Sequence, residues 1–200
     1  MQNPISKLLE LGGPVLLILA CVSIIALSII IFKLLQYRAC CVGKTQYIDE
    51  AIKHWDAGDE DRALNALDAS NHFMTAVYHR AMSKRTGIDR QRLESEAQQS
   101  IQPLESMFRT LDLIAQLAPL MGLFGTVLGM IEAFQALQSA GSNVDPALLA
   151  GGIWVALLTT AAGLAVAIPA FVALSWLESR MDKERAFADY SISVLLDKSG

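Results

Sequence analysis

The chain has 200 residues, a formal net charge of −4, 53% hydrophobic and 18% charged residues, and a mean hydropathy of +0.39. High hydrophobicity with little charge excludes intrinsic disorder. An acidic balance without a basic stripe excludes a nucleic-acid partner, and three cysteines exclude a disulfide-stapled secreted scaffold.

Charged side chains leave three long gaps, Leu11 to Phe32, Leu113 to Ile131 and Pro146 to Leu177. A hydrocarbon core about 30 Å thick needs about 20 apolar residues in helix. The first and third gaps exceed that, and the second meets it if Glu132 lies near an interface or faces a polar interior. The soluble alternative, three buried core helices, fits poorly with a charge-free run as long as the third.

Taken in chain order, residues 1–12 carry Ile5, Leu8 and Leu9 and read as an amphipathic segment at the outer interface, or simply as a helix start. Residues 13–36 form a first span. Its apolar run exceeds a signal-peptide core and no A-x-A-like site follows, so it reads as a retained anchor. Residues 37–110 form a polar helical loop. Gly58-Asp59-Glu60-Asp61 starts one helix, Gly87 marks a break, and another helix runs from about Asp89 towards Arg109 and into the second span, with Pro103 as a kink or a new start. Residues 111–137 form span two, 138–147 a short turn, 148–177 span three and 178–200 a tail.

Lys and Arg set the orientation. Only Lys7 precedes the first span and none lies in the short turn. The loop carries ten basic residues besides Lys33 at its edge, and Arg180, Lys183, Arg185 and Lys198 follow span three. This bias puts the N-terminus and short turn outside, and the loop and C-terminus in the cytoplasm. The expected protein is all-α, with three transmembrane helices and a helical cytoplasmic domain.

The spans differ in character. The first is rich in branched aliphatics and suits lipid contact. The second holds Gly122, Gly125 and Gly129, and the third holds Gly152, Ala156, Thr159, Thr160 and Gly163 in a small-residue stripe. Helices in lipid associate through close packing at small residues, so spans two and three read as interior and span one as peripheral. Thr126 and Thr160 fall at similar depths from Arg109 and Glu178, and Pro119 and Pro169 also pair in depth. Each proline frees a carbonyl four residues earlier, at Ala115 and Ala165. Hydroxyls and freed carbonyls at membrane depth suit a water-filled or ion-bearing interior. The plainer reading has the threonines bonding their own helices and the prolines only bending them. Glu132 is either an outer-vestibule carboxylate or an interfacial one.

No catalytic or metal-binding set emerges, and no cofactor is expected. His54, His72 and His79 are scattered, Cys21 is a single apolar thiol, and Cys40-Cys41 reads as an inert reduced pair.

Ala118-Pro119-Leu120-Met121-Gly122-Leu123-Phe124-Gly125-Thr126-Val127-Leu128-Gly129-Met130-Ile131 resembles the second-span signature of the ExbB/TolQ/MotA proton-channel family. Leu157-Leu158-Thr159-Thr160-Ala161-Ala162-Gly163-Leu164-Ala165-Val166-Ala167-Ile168-Pro169-Ala170 resembles its third-span signature. Three spans with a modest loop are closest to ExbB or TolQ, since the flagellar stator branch has four spans. The resemblance implies a homopentameric ring in the bacterial inner membrane. Its second and third helices enclose single-span helices of an ExbD-like partner that carries an intramembrane aspartate. Protons drive the motor, a TonB-like protein receives the motion, and the pore threonines map onto Thr126 and Thr160. Many ExbB-like proteins carry a Glu five residues before the matched threonine, where this chain has Val155. A TolQ-like motor, a sodium-driven relative using Thr126, Thr159 and Thr160, and a non-conducting scaffold therefore stand as alternatives, with a membrane enzyme last.

Overall fold

The structure, a computed structural model, describes residues 4–83, 89–140 and 146–197. The break expected at Gly87, positions 141–145 of the short turn and the ends of the chain lie outside the described residues, as do the side chains of the N-terminal amphipathic segment. The described chain is helical, with α1 (Pro4–Ala39), α2 (Gln46–Ala57), α3 (Glu60–Asp68), α4 (Thr75–Ser83), α5 (Arg90–Glu105), α6 (Phe108–Ala140) and α7 (Pro146–Asp197). No strand occurs among the described residues. Three helices are long and apolar enough to cross a membrane, over Gly13–Ala39, Phe108–Ser139 and Leu149–Leu196.

The chain divides into two compact units. The first comprises residues 1–30 and 107–174, the apolar parts of α1, α6 and α7. Gly13 takes a left-handed φ of +64° immediately before Pro14, which marks where the apolar span begins. Val15 and Leu19 of α1 are buried in one cluster with Ala118 of α6 and Ala167 of α7. Beyond that cluster, α1 presents Ile18, Ile24, Ile25 and Leu27 outward, as a lipid-facing helix does.

The second unit comprises residues 31–106 and 175–200 and has its own apolar core, built on Ile48, Trp55, Leu67, Tyr78, Leu93 and Ile192. Asp59 caps α3 by accepting from the Arg62 N–H, and Asp89 caps α5 by accepting from the Gln91 N–H. The segment expected as a tail is helical to Asp197, and Ala188, Ile192 and Leu195 belong to this core.

The helix from Asp89 does not run into the second span. It ends at Glu105, and the break falls at Ser106-Met107, where Met107 has a φ of +71°. Pro103 stays inside the last turn of α5. The reason is Lys33. Its buried ammonium donates to the Pro103 and Leu104 carbonyls at 3.3 and 3.1 Å, to Ser106 Oγ at 3.0 Å and to Gln36 Oε1 at 2.9 Å. A cation on the free carbonyls of a helix C-terminus satisfies groups that would otherwise be orphaned and opposes the helix dipole.

A second buried polar group joins the α2–α4 region to α7. Glu184 and His72 are each 4% exposed. Glu184 Oε1 accepts from the Gly43 N–H at 2.6 Å, and its Oε2 lies 3.1 Å from His72 Nε2, too oblique for a straight hydrogen bond. The Met74 N–H donates to His72 Nδ1, which places the ring proton on the Nε2 that faces the carboxylate.

Candidate ion-pathway site

The site is the seam between α6 and α7. Small residues allow the two backbones to touch. A Cβ on Gly122 would lie 2.8 Å from the Thr159 carbonyl oxygen, one on Gly125 2.6 Å from Thr159 Oγ1, and one on Gly163 2.5 Å from the Ala118 carbonyl oxygen. A Cβ on Gly152 would collide with Ala133, and Gly129 faces Ala156 at 3.4 Å. The six small residues of the sequence pattern thus lie along one antiparallel seam, with Gly129 and Ala156 at ordinary contact.

Thr159 is in the middle of this seam and is 1% exposed. Its hydroxyl donates to the Ala156 carbonyl of its own helix at 2.7 Å and is 3.3 Å from the Gly122 carbonyl. Thr160 is half-buried and donates only across the seam, to the Gly122 carbonyl at 3.4 Å. Thr126, also half-buried, donates to its own helix at Leu123 O, 2.6 Å away. Thr126 thus bonds its own helix, Thr159 bonds both, and Thr160 bonds the facing one.

Thr126 and Thr160 each follow a seam residue, Gly125 and Thr159, by one position. In an antiparallel pair of right-handed helices, one step along each chain turns to the same flank. Successive contacts along the seam set the register, and in it the two threonines are offset by about three residues, or about 4.5 Å along the axis. The α1 cluster has Met121, Leu128, Ala162 and Val166 at its margins. Helical spacing turns each of these about 120° to 160° away from the threonine on its helix. The hydroxyls of Thr126 and Thr160 thus share the flank that α1 leaves open.

The other candidates are placed differently. Pro119 and Pro169 lie inside continuous helices. Pro119 falls on the Thr126 flank, but Pro169 is half a turn round from Thr160 and offset from Pro119 by about 7.5 Å, so the prolines do not pair. Glu132 is exposed on α6, about 120° round from Thr126. Val155 is half-buried on α7 and about 140° round from Thr160, so the position does not share the threonine flank.

Comparison with known proteins gives this seam a context. The model of the MotA/TolQ/ExbB proton channel family matches residues 65–189, which contain α6 and the apolar part of α7. The chain belongs to that family. It is similar to biopolymer transport protein exbB1 of Vibrio cholerae, 39% identical over 45% of this chain and 40% of that protein. It is similar to an ExbB-like 1 biopolymer transport protein of Synechocystis sp., 29% identical over 92% of this chain and 73% of that protein. It also resembles the Tol-Pal system protein TolQ of Haemophilus influenzae, 42% identical over 41% of this chain and 36% of that protein. The alignments with exbB1 and TolQ thus span less than half of those relatives' own length. ExbB is the nearest branch, and with three apolar helices the chain is a multi-pass membrane protein.

Two structural features leave little trace in the sequence, the Lys33 anchor and the His72–Glu184 pair. Lys33 was visible only as the end of a charge gap, and His72 as one of three scattered histidines. Nothing in their spacing places their partners, which lie 70 and 112 residues away.

Proposed function

We propose that this protein is a subunit of an ion-driven motor of the bacterial inner membrane. Copies of the chain form a ring, and the Thr126/Thr160 flank of each α6–α7 seam faces a central partner helix. The observation that carries this reading is the position of the two hydroxyls on the flank opposite α1, in a chain of the proton channel family.

Of the carboxylates in the spans, Glu132 is off the threonine flank and Asp112 is 14 residues from Thr126, about 21 Å along α6, so a single-span ExbD-like partner supplies the intramembrane aspartate. The Thr160 hydroxyl is held only by a long 3.4 Å bond to Gly122 O. It can turn from that carbonyl to donate to an ionised carboxylate, and turn back when the carboxylate takes a proton. Thr126, with its short bond at 2.6 Å, supplies a fixed oxygen about one turn further along. A charge crossing 100 mV gains about 2.3 kcal/mol, enough to bias such a switch more than tenfold. The N-terminus lies in the periplasm, the helical unit and C-terminus lie in the cytoplasm, and a TonB-like transducer takes up the motion. A TolQ-like envelope motor is the neighbouring reading, and sodium the alternative ion.

Val155 favours one further reading, a ring that assembles its partner without conducting. Proton flux in liposomes containing the chain and its partner, with and without Val155→Glu, separates the two. Flux through the unaltered chain supports conduction. Flux only in the glutamate variant supports the scaffold.

A further inference from the structure

Within the second unit, the last turn of α1 and the Trp176–Arg180 turn of α7 enclose an open cavity of about 610 Å³. Its walls include Leu34, Tyr37, Arg38, Lys44, Trp176 and Arg180, three cations and no acid. Among the described residues none of these three cations is in an ion pair. All three are exposed, so an anion can reach them and accept charge-assisted hydrogen bonds.

The pocket is built rather than incidental. The Arg180 guanidinium lies 5.4 Å from the Trp176 ring centroid. On its other side is Gly43, with a φ of +84°, where a Cβ would come within 3.0 Å of Arg180 Nη1. Tyr37 is 5% exposed, 6.4 Å from the Trp176 ring, and its hydroxyl donates to the Leu177 carbonyl. The aromatic wall is therefore fixed before any ligand arrives. Leu34 and Trp176 form an exposed apolar rim beside the cations.

Both walls lie where an apolar run ends. Leu34 and Tyr37 follow the first charge gap, just past Lys33, and Trp176 and Leu177 close the third. Aromatic and basic residues at such ends sit at the membrane–water boundary. A free phosphate would use the cations and leave the rim bare, whereas an amphiphile uses both.

We propose that this pocket binds the phosphodiester headgroup of an anionic phospholipid, with Arg38, Lys44 and Arg180 on the phosphate and the acyl chains along Leu34 and Trp176. Basic side chains at a bilayer surface each favour anionic lipid about fivefold, so three of them give a marked preference over zwitterionic lipid.

The test uses the full chain reconstituted with its partner. With Trp55→Phe and Trp154→Phe, Trp176 is the only tryptophan left of three. The vesicles are phosphatidylcholine doped with dibrominated phosphatidylglycerol or dibrominated phosphatidylcholine, and Trp176 quenching is read. The expected result is a several-fold preference for the brominated phosphatidylglycerol. Arg180→Gln should cut it about fivefold, Arg180→Lys should largely keep it, and 10 mM inorganic phosphate should leave it unchanged. Native mass spectrometry of the unaltered chain, with phosphatidylglycerol retained and lost in Arg38→Gln/Arg180→Gln, gives the same answer without the tryptophan changes. Equal quenching by the two lipids overturns the proposal, as does a preference that survives Arg180→Gln. Displacement by phosphate overturns the lipid assignment in favour of a soluble anion. Absence of quenching by either lipid, as when a neighbouring copy fills the pocket, overturns it too.

Discussion

The hydroxyl of Thr160 reaches the carbonyl oxygen of Gly122 on the facing helix at 3.4 Å, and makes no bond to its own helix. Its neighbour Thr159 is tied to Ala156 O at 2.7 Å and buried in the seam. One step along α7 thus separates a packing threonine from one whose donor can be redirected. Replacing Thr160 by Val keeps the shape and removes the donor. A hydrogen bond to a charged group is worth about 1.5–3 kcal/mol, so ion flux should fall about 10- to 100-fold in Thr160→Val. Thr160→Ser should keep most of it. The mass of the assembled complex should be unchanged in both, as read by native mass spectrometry.

The seam itself predicts a graded response to added methyl groups. Gly163→Ala drives a Cβ to 2.5 Å from the Ala118 carbonyl oxygen, a backbone atom that cannot step aside. Overpacking of this kind costs about 1–3 kcal/mol. Gly151→Ala meets no atom within 4 Å and should be neutral. Thermal unfolding in detergent should show a lowered midpoint for Gly163→Ala and none for Gly151→Ala.

Lys33 holds the C-terminus of α5 by its carbonyls. Lys33→Met keeps the length of the side chain and removes the donors. The Pro103 and Leu104 carbonyls then lose their cation, at a cost of about 2 kcal/mol. Hydrogen exchange over the last turn of α5 should speed up, with α2 and α3 unaffected.

Glu184→Ala removes the acceptor of the Gly43 N–H and the carboxylate facing His72. Both remaining groups are buried, so the unit should lose about 3 kcal/mol of stability. The Glu184→Ala/His72→Asn double variant should recover part of that, because the unpaired Nε2–H is gone while the asparagine side-chain oxygen can still accept the Met74 N–H. Denaturant unfolding followed through Trp55, in the core of this unit, checks both.

Much of this arrangement was legible in the chain. The charge gaps set three apolar helices, Asp59 and Asp89 announced two helix starts, and the spacing of Gly122, Gly125 and Gly129 against Gly152, Ala156 and Gly163 marked the seam. Three things were not. The break before α6 falls at Met107, in a left-handed conformation that glycine usually signals. No glycine is there, because Lys33, 73 residues earlier than Ser106, fixes it from outside. The segment after Leu177 carries the charges of a solvated tail, and its buried stripe of Ala188, Ile192 and Leu195 takes meaning only against helices far away in sequence. Thr126 and Thr160 matched in depth from the sequence, but their common flank depends on the register of the α6–α7 contact, which spacing within one helix does not contain. Depth alone also paired Pro119 with Pro169, which face different ways.

The most direct test of the account is proton flux in liposomes holding the chain with its ExbD-like partner, the unaltered chain beside Thr126→Val/Thr160→Val, under an imposed potential. Flux should depend on the partner's intramembrane aspartate and fall to background in the double variant, with the ring intact. Equal flux in the two proteins would contradict it, and would move the ion path away from the flank these threonines share.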